Sequence, residues 1–170
     1  MPRKAETTSG EISSMEINPN SKVISIDSEV LEKIKQAIQV ALAYERATSG
    51  SRKLGITGEV GEVLICKQLG LSMMLDPRSE GYDAIDKAGG RVQIKTRRSE
   101  SGDMPKKSGR LSRFSEHKYD YALLGLLDSR YRLTKIWRAD YKTIEPIISK
   151  QKRRNPSLSS FIRVARLVFP

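Results

Sequence analysis

The sequence predicts an α/β or α+β layer fold with a mixed central sheet, and three patterns support this. Two amphipathic helices come first, at about 27–47 and 57–69. Four strands follow, and the third is a near-continuous apolar run at 119–127, typical of a strand buried on both faces. Two further helices are predicted at about 139–148 and 158–168. The predicted order is therefore α, α, β, β, β, β, α, α.

The length of 170 residues fits one compact domain preceded by a short arm. Residues 1–22 are polar, rich in Ser, Thr and Glu, and without hydrophobic periodicity. We therefore predict a flexible N-terminal arm over 1–22 and a single domain over 23–170.

The first helix has a clear start signal and an apolar stripe. Asp27 or Ser28 can cap it, and Glu29 lies in the first turn, where negative charge is favourable. Apolar residues then recur at helical spacing, which predicts one buried face. These residues are Val30, Leu31, Ile34, Ala37, Ile38, Ala41 and Leu42.

The second predicted helix follows Gly55, with Thr57 as its cap and Gly70 as its end. Its two glutamates, Glu59 and Glu62, are three residues apart and therefore share a face. A connection at 71–81 follows this helix, and the strands with the candidate catalytic residues come after it.

Residues 81–98 are predicted to form a β-hairpin, with two strands joined by a glycine-containing turn. Because side chains alternate along a strand, Gln93 and Lys95 lie on one face and Ile94 on the other. Two strands, at 119–127 and 131–138, follow after a polar and basic loop.

The register of the hairpin decides which acid faces Gln93 and Lys95. A three-residue loop at 88–90 would place Asp83 opposite Lys95, on the same face as Gln93. A two-residue turn would instead place Asp86 opposite Gln93 and turn Asp83 away. Both alternatives remain open at the level of sequence.

Charge is unevenly distributed along the chain. The net charge is +11, and residues 1–86 carry 10 Lys/Arg against 13 Asp/Glu, whereas residues 87–170 carry 21 against 7. A C-terminal half this basic predicts a polyanionic partner, because released counterions favour binding to a phosphate backbone.

Several classes of protein are excluded by composition. The single cysteine, Cys66, cannot form an internal disulfide or a cysteine-type zinc site. The single histidine, His117, lies in a polar loop, and histidine-based triads, His-metal nucleases and zinc proteases need either more histidines or a motif that this one lacks; no P-loop motif is present. No apolar run approaches the length of a membrane span, and the N-terminus lacks the apolar segment of a secretory signal, so we expect a cytoplasmic protein without membrane contact.

The D-x9-Q-x-K spacing from Asp83 to Lys95 follows a helix with a GEVGE sequence at 58–62. This combination resembles the PD-(D/E)xK superfamily of restriction-endonuclease-like nucleases, and the match covers about 55–138 in element order. Tyr82 takes the place of the proline in the motif. The resemblance implies a restriction-endonuclease-like core, a mixed four-stranded sheet flanked by helices, and hydrolysis of phosphodiesters that depends on Mg²⁺, or on Mn²⁺ as a substitute.

The resemblance also implies roles for individual residues. Asp83 would be a metal-ligating acid, Lys95 the motif lysine, and Glu62 the acid of the helix, with Glu59 as the alternative. Gln93 takes the place of the second acid and would offer the metal a neutral amide oxygen instead of a charged one. This departure keeps open a second function, a domain that binds nucleic acid without cutting it.

Basic residues directly after the motif are predicted to contact a nucleic acid, with DNA as the expected substrate. Arg97 shares the face of Gln93 and Lys95, whereas Arg98 points to the other face if the strand persists. The predicted contact residues are Arg97, Arg98, Lys106, Lys107, Arg110 and Arg113. Residues 152–154 form a second basic patch. Cutting both strands of a duplex would favour a homodimer, but the sequence shows no clear dimer interface.

Overall fold

The computed structural model describes residues 22–104, 109–116 and 119–170, which are organised around a seven-stranded sheet. The strands lie in the sheet in chain order: β1 (Val23–Ser25), β2 (Ser72–Met74), β3 (Ala84–Ile85), β4 (Arg91–Arg98), β5 (Tyr121–Leu127), β6 (Leu133–Asp140) and β7 (Arg166–Phe169). β4 and β5 are parallel, and every other neighbouring pair is antiparallel. The predicted mixed α/β architecture is confirmed, and the predicted number of four strands is wrong.

Five helices accompany the sheet in the described part of the chain: α1 (Ser28–Ala47), α2 (Thr57–Leu69), α3 (Pro77–Glu80), α4 (Tyr141–Ser149) and α5 (Leu158–Val164). The Asp27 carboxylate accepts a hydrogen bond from the Val30 N–H and caps α1, as predicted. Gly70 ends α2 with a left-handed φ of 65°. No helix of the described ranges combines the length and the apolar character that crossing a bilayer requires.

The three additional strands are short and depend on their neighbours. β2 lies within the stretch predicted as a connection, and β7 overlaps the end of the predicted helix at 158–168, because that helix ends early at Val164. β1 pairs with β2, and β7 pairs with β6. Strands of three or four residues carry too little periodicity to be recognised before their pairing partners are known. Of the predicted arm, residues 1–21 lie outside the described residues.

Both faces of the sheet are covered, and β5 is buried along its whole length, as predicted. On one face, α1 and α2 pack over Val92, Ile94, Leu123 and Ile136. The other face is covered by α4, α5 and the segment 109–116, which we call the covering loop. Gln93, Lys95 and Arg97 alternate with the α1/α2-facing residues of β4 and therefore point to the side of the covering loop.

The observed register of the β3–β4 hairpin differs from both predicted ones. Ala84 pairs with Val92, and the Asp86 N–H donates to the Gly90 carbonyl, so the loop is 87–89. Continuing that pairing puts Asp83 opposite Gln93, not opposite Lys95. Compared with the predicted three-residue loop, the pairing partner of Asp83 moves by two residues, from Lys95 to Gln93. A change of pairing by two residues leaves every side chain on the face that was predicted.

Candidate functional site

Glu62 reaches the site because α2 approaches β4 unusually closely. A Cβ atom at Gly61 would lie 2.0 Å from the Thr96 Oγ1 and 2.4 Å from its Cγ2. Only glycine permits this distance, since real Cβ atoms do not approach other atoms so closely. The close contact fixes the next residue, Glu62, beside the motif strand.

Glu62, Asp83 and Lys95 form one electrostatic cluster. Burial, followed by the charges of Asp83 and Glu59, raises the pKa of Glu62 to about 8, while Lys95 opposes the shift. The pKa of Asp83 is also raised by burial, against the opposing effects of the Ile94 N–H, which donates at 2.6 Å, and of Lys95. Burial lowers the pKa of Lys95, and Asp83 and Glu62 oppose that shift. Lys95 is therefore coupled to both carboxyl groups, and Asp83 raises the pKa of Glu62.

Gln93 is buried, with 4% of its surface exposed, and both ends of its amide are engaged. Its Nε2 donates to the Gly81 carbonyl at 2.8 Å, and its Oε1 accepts from the Ser115 N–H at 3.3 Å. These two backbone partners define which end of the amide is oxygen. Gln93 thus links the turn before β3 to the covering loop, and its role as a metal ligand stays a prediction.

Lys95 also contacts the covering loop. Its Nζ donates to the Arg113 carbonyl at 2.8 Å and lies 5.0 Å from the centroid of the Phe114 ring. The ammonium group is therefore hydrogen-bonded to a neutral oxygen, while the carboxylates of the cluster act on it through space.

Two adjoining pockets of opposite charge meet at this cluster. The first, of about 360 Å³, we call the Lys95 pocket; its charged lining residues are Arg78, Lys95, Arg113 and Glu116. The second, of about 440 Å³, we call the Glu62 pocket; its charged lining residues are Glu59, Glu62, Asp76 and Arg78. Pro77 and Arg78 of α3 line both pockets and form the boundary between them.

The structure distinguishes the alternative acids by their surroundings. The Asp86 carboxylate accepts from the N–H groups of Ala88 and Gly90 and from the Tyr121 hydroxyl, and so it stabilises the hairpin turn. Glu59 is exposed on α2, although its charge also raises the pKa of Asp83, whereas Glu62 is half-buried and its pKa responds to both Asp83 and Lys95. The geometry therefore favours Asp83 over Asp86 and Glu62 over Glu59.

The resemblance implies a divalent cation, for which the carboxylates of this cluster are the candidate ligands. Within the described ranges, no group of three or more His, Cys, Asp or Glu side chains lies close enough together to hold a metal ion. Mg²⁺ typically binds through one or two carboxylates, with water and substrate phosphates supplying the other oxygens. Glu62 and Asp83 fit that pattern, because burial disfavours their negative charge and a cation would stabilise it.

Arg97 and Arg98 are adjacent in sequence but have different environments. The Arg97 Nη2 donates to the Arg110 carbonyl of the covering loop at 2.5 Å. Arg98 forms an ion pair with Glu45 at 2.5 Å and lies 3.9 Å from the centroid of the Tyr131 ring. The two side chains of this pair are only 10% and 15% exposed, which favours a structural role for Arg98 over the predicted phosphate contact.

Two of the other predicted contact residues, Arg110 and Arg113, lie in the covering loop. Arg110 is exposed and donates to the Gln151 side chain and the Asn155 carbonyl. Arg113 is exposed, pairs with Glu116 at 2.6 Å and lines the Lys95 pocket. Lys106, Lys107 and His117 lie outside the described residues.

The three basic residues at 152–154 also differ in their exposure and partners. Lys152 and Arg153 are exposed. Arg154 is instead paired with Glu145 at 2.7 Å, and its Nη2 donates to the Ser115 carbonyl. Arg154 therefore anchors the covering loop against α4.

Sequence reasoning missed Arg78, and it missed the side of the Lys95 pocket that Phe114 and Ser115 form. Arg78 is a single basic residue in a stretch predicted as a connection, so no local pattern marks it. Its place between the two pockets depends on α3, which in turn depends on the pairing of β2 and β3.

Neither a scan against protein-family models nor a search of curated proteins found a match to this chain. The resemblance to the PD-(D/E)xK nucleases therefore stays a prediction, and a functional conclusion rests on the geometry of the site.

Proposed function

We propose that this protein is a metal-dependent nuclease that hydrolyses phosphodiester bonds, with DNA as its expected substrate. The observation that supports this most is the cluster of Glu62, Asp83 and Lys95 beside two pockets of opposite charge. Two carboxylates suited to a divalent cation and one ammonium group suited to a phosphate form a set that this reaction can use.

The residues of the chain divide the chemical work between them. Glu62 and Asp83 hold the divalent cation, which when bound supplies positive charge that polarises a phosphoryl oxygen. Lys95 stabilises the negative charge that develops on the phosphate, and its partial burial strengthens that interaction because less water screens it. Gln93 keeps the covering loop against the strand and so maintains the shape of the Lys95 pocket.

Arg78 and Arg113 extend the binding surface around Lys95. Both line the same pocket, and both are exposed. The charge of the C-terminal half adds long-range attraction for a polyanion. We therefore assign these two arginines to holding the substrate backbone rather than to the reaction itself.

A second function, binding nucleic acid without cutting it, is favoured by one specific observation. Both motif residues on β4 are hydrogen-bonded to the backbone of the covering loop, Lys95 to Arg113 and Gln93 to Ser115. In that arrangement, Gln93 and Lys95 hold the covering loop in place and need no part in a reaction.

A cleavage assay separates the two functions. Purified protein is incubated with supercoiled plasmid, single-stranded DNA or RNA in Mg²⁺, Mn²⁺ or EDTA, beside Asp83→Asn and Lys95→Met variants. Asp86→Asn is the matched control, since Asp86 belongs to the hairpin turn. We expect metal-dependent cutting that falls by about 100-fold to 1,000-fold in the two site variants and persists in the control.

Other outcomes contradict the proposal in distinct ways. Cutting that survives both site variants would mean that the cluster is not the active site. DNA that is retarded on a gel at low salt but never cut would leave the binding function as the better account.

A further inference from the structure

A third pocket, of about 390 Å³, lies on the α1/α2 side of the sheet, and we call it the Tyr121 pocket after one of its lining residues. It is bounded by the end of α2, the hairpin turn at 86–88 and strands β5, β6 and β7. No residue lining it lines the Lys95 pocket or the Glu62 pocket. The candidate active site therefore does not account for this pocket.

Apolar side chains form a large part of the wall of the Tyr121 pocket. They are Leu69 and Leu71, at and just after the end of α2, Leu123 of β5 and Val168 of β7. Leu71 and Leu123 belong to the buried core on this side of the sheet, whereas 38% of Val168 is exposed. A ligand with an apolar body would replace water against these side chains, which favours binding.

Three cationic side chains line the same pocket, namely Lys87, Arg138 and Arg166. Arg138 lies directly opposite Arg166 in the pairing of β6 with β7. Like charges directly opposite each other on neighbouring antiparallel strands destabilise the pair. An anion bound beside both arginines would relieve that repulsion.

The cations differ in how they are held. The Arg138 guanidinium lies 3.7 Å from the centroid of the Tyr121 ring, which fixes it against the wall of the pocket. The Lys87 Cε would be 3.7 Å from a Cβ added at Gly70, so the stem of this lysine lies along the end of α2. The charged ends of Lys87 and Arg166 have no hydrogen bond or ion pair with any residue that the structure describes.

Two acids lie near these cations, and both are already engaged. Asp86 lines the pocket, where it accepts from two N–H groups of its own turn and from the Tyr121 hydroxyl. Asp140 pairs with Arg138 at 3.0 Å and does not line the pocket. Three cations against these two acids leave a net charge of +1, so the pocket favours a negatively charged ligand.

We propose that the Tyr121 pocket binds a small organic anion. The charged oxygens of the ligand contact Arg166 and Lys87, and its apolar body packs against Leu71 and Leu123. Arginine suits this role because its planar guanidinium group donates two parallel hydrogen bonds to a carboxylate or a phosphate. The inference concerns binding alone and does not depend on the proposed cleavage reaction.

The first experiment separates the charge of the ligand from its body. The full chain is titrated with 1-anilinonaphthalene-8-sulfonate, a fluorescent anion with an aromatic body, which is then displaced by competitors. Indole-3-acetate has both parts, indole-3-acetamide has the same body without the charge, and acetate has the charge without the body. Indole-3-acetate should displace the probe at a concentration at least about 10-fold lower than either of the others. Equal displacement by the acetamide would overturn the inference.

The second experiment removes the two unpaired charges of the pocket. Arg166→Gln and Lys87→Gln alter exposed side chains and should each raise the Kd for indole-3-acetate by about 10-fold. Arg163→Gln, an exposed arginine of α5 outside the pocket, is the matched control and should leave the Kd unchanged. Without ligand, Arg166→Gln should also raise the melting temperature, because it removes the repulsion with Arg138.

NMR locates the ligand and distinguishes this site from the Lys95 pocket. Indole-3-acetate should shift the amide signals at 69–71 and 86–88, and a matching effect of adenosine monophosphate would extend the bound anion from a carboxylate to a phosphate. Shifts confined to 113–116 would place the ligand in the Lys95 pocket, and an unchanged Kd in both pocket variants would place it elsewhere; either result overturns the inference. None of these measurements involves cleavage, so the inference and the proposed function can fail separately.

Discussion

The cationic side chains on the two faces of β4 have different hydrogen-bond partners. On the α1/α2 side, Arg98 is paired with the Glu45 carboxylate and packed on the Tyr131 ring. On the covering-loop side, the hydrogen bonds of Lys95 and Arg97 go to backbone carbonyl groups. A carboxylate neutralises its partner, whereas a carbonyl orients a cation and leaves its net charge intact. The face that retains its charge is therefore the one suited to a polyanionic substrate.

The largest contrast that this comparison predicts is in stability. Arg98→Met would leave the Glu45 carboxylate, 15% exposed, without its cation and should lower the free energy of unfolding by about 3 kcal/mol. Lys95→Met removes an ammonium group whose charge burial disfavours, so its effect on stability should be much smaller. Urea denaturation of both variants measures the difference.

The double variant Arg98→Met/Glu45→Met provides the control for that contrast. Replacing both partners of a buried ion pair removes the uncompensated charge and should recover most of the lost stability. An equal loss of stability in the Arg98 and Lys95 variants would mean that the two faces do not differ in the way proposed.

The second prediction concerns the contact that holds Glu62 beside β4. Gly61→Ala would force α2 away from Thr96 and should lower the free energy of unfolding by about 2 kcal/mol, with a loss of cleavage activity because Glu62 moves with the helix. Gly58→Ala is the matched control on the same helix, since it has open space around its Cβ and should stabilise the protein by up to about 1 kcal/mol.

A compensating substitution sharpens this test. In a Thr96→Ala background, the Oγ1 and Cγ2 that meet the new Cβ are gone, whereas the Cβ of residue 96, at 2.6 Å, remains. Gly61→Ala should therefore cost less there than in the wild type, but should still destabilise the protein. If the cost is the same in both backgrounds, contact with the Thr96 Oγ1 and Cγ2 does not explain the glycine.

The sequence predicted the elements whose signals are local. The cap at Asp27, the end of α2 at Gly70 and the buried run that became β5 were all recognisable from neighbouring residues. The face shared by Gln93 and Lys95 followed from alternation alone. Whether Asp83 joins them depended on the hairpin register, which the sequence left open; the observed register keeps Asp83 on that face, although the predicted pairing of Asp83 with Lys95 was wrong.

What could not be predicted depends on contacts between distant parts of the chain. β7 forms where β6 offers a free edge, and the turn at 87–89 is selected by the Asp86 carboxylate together with the distant Tyr121 hydroxyl. The roles of Arg98 and Arg154 were hidden for the same reason, because their acidic partners, Glu45 and Glu145, come from helices elsewhere in the fold.

The smallest predicted effect is a dependence of stability on pH that comes from the Arg98–Glu45 ion pair on the α1/α2 side of β4. The hydrogen bond from Arg98 lowers the pKa of Glu45 below its ordinary value, with burial opposing and the charge of Arg98 adding to the shift. Because the folded-state pKa is the lower one, the ion pair contributes fully above the unfolded-state value of about 4.3. That contribution is lost as the pH falls through the folded-state pKa.

Urea denaturation of the wild type and of Glu45→Gln between about pH 6 and about pH 3 tests this prediction. The stability advantage of the wild type should be constant in the upper part of that range and should shrink in the lower part. In an Arg98→Met background, the same comparison should show no such advantage, because the group that lowers the Glu45 pKa has been removed. An advantage of the wild type that persists at the lowest pH would mean that Arg98 is held by its ring and carbonyl contacts rather than by the Glu45 charge. The contrast between the two faces would then rest on packing instead of on electrostatics.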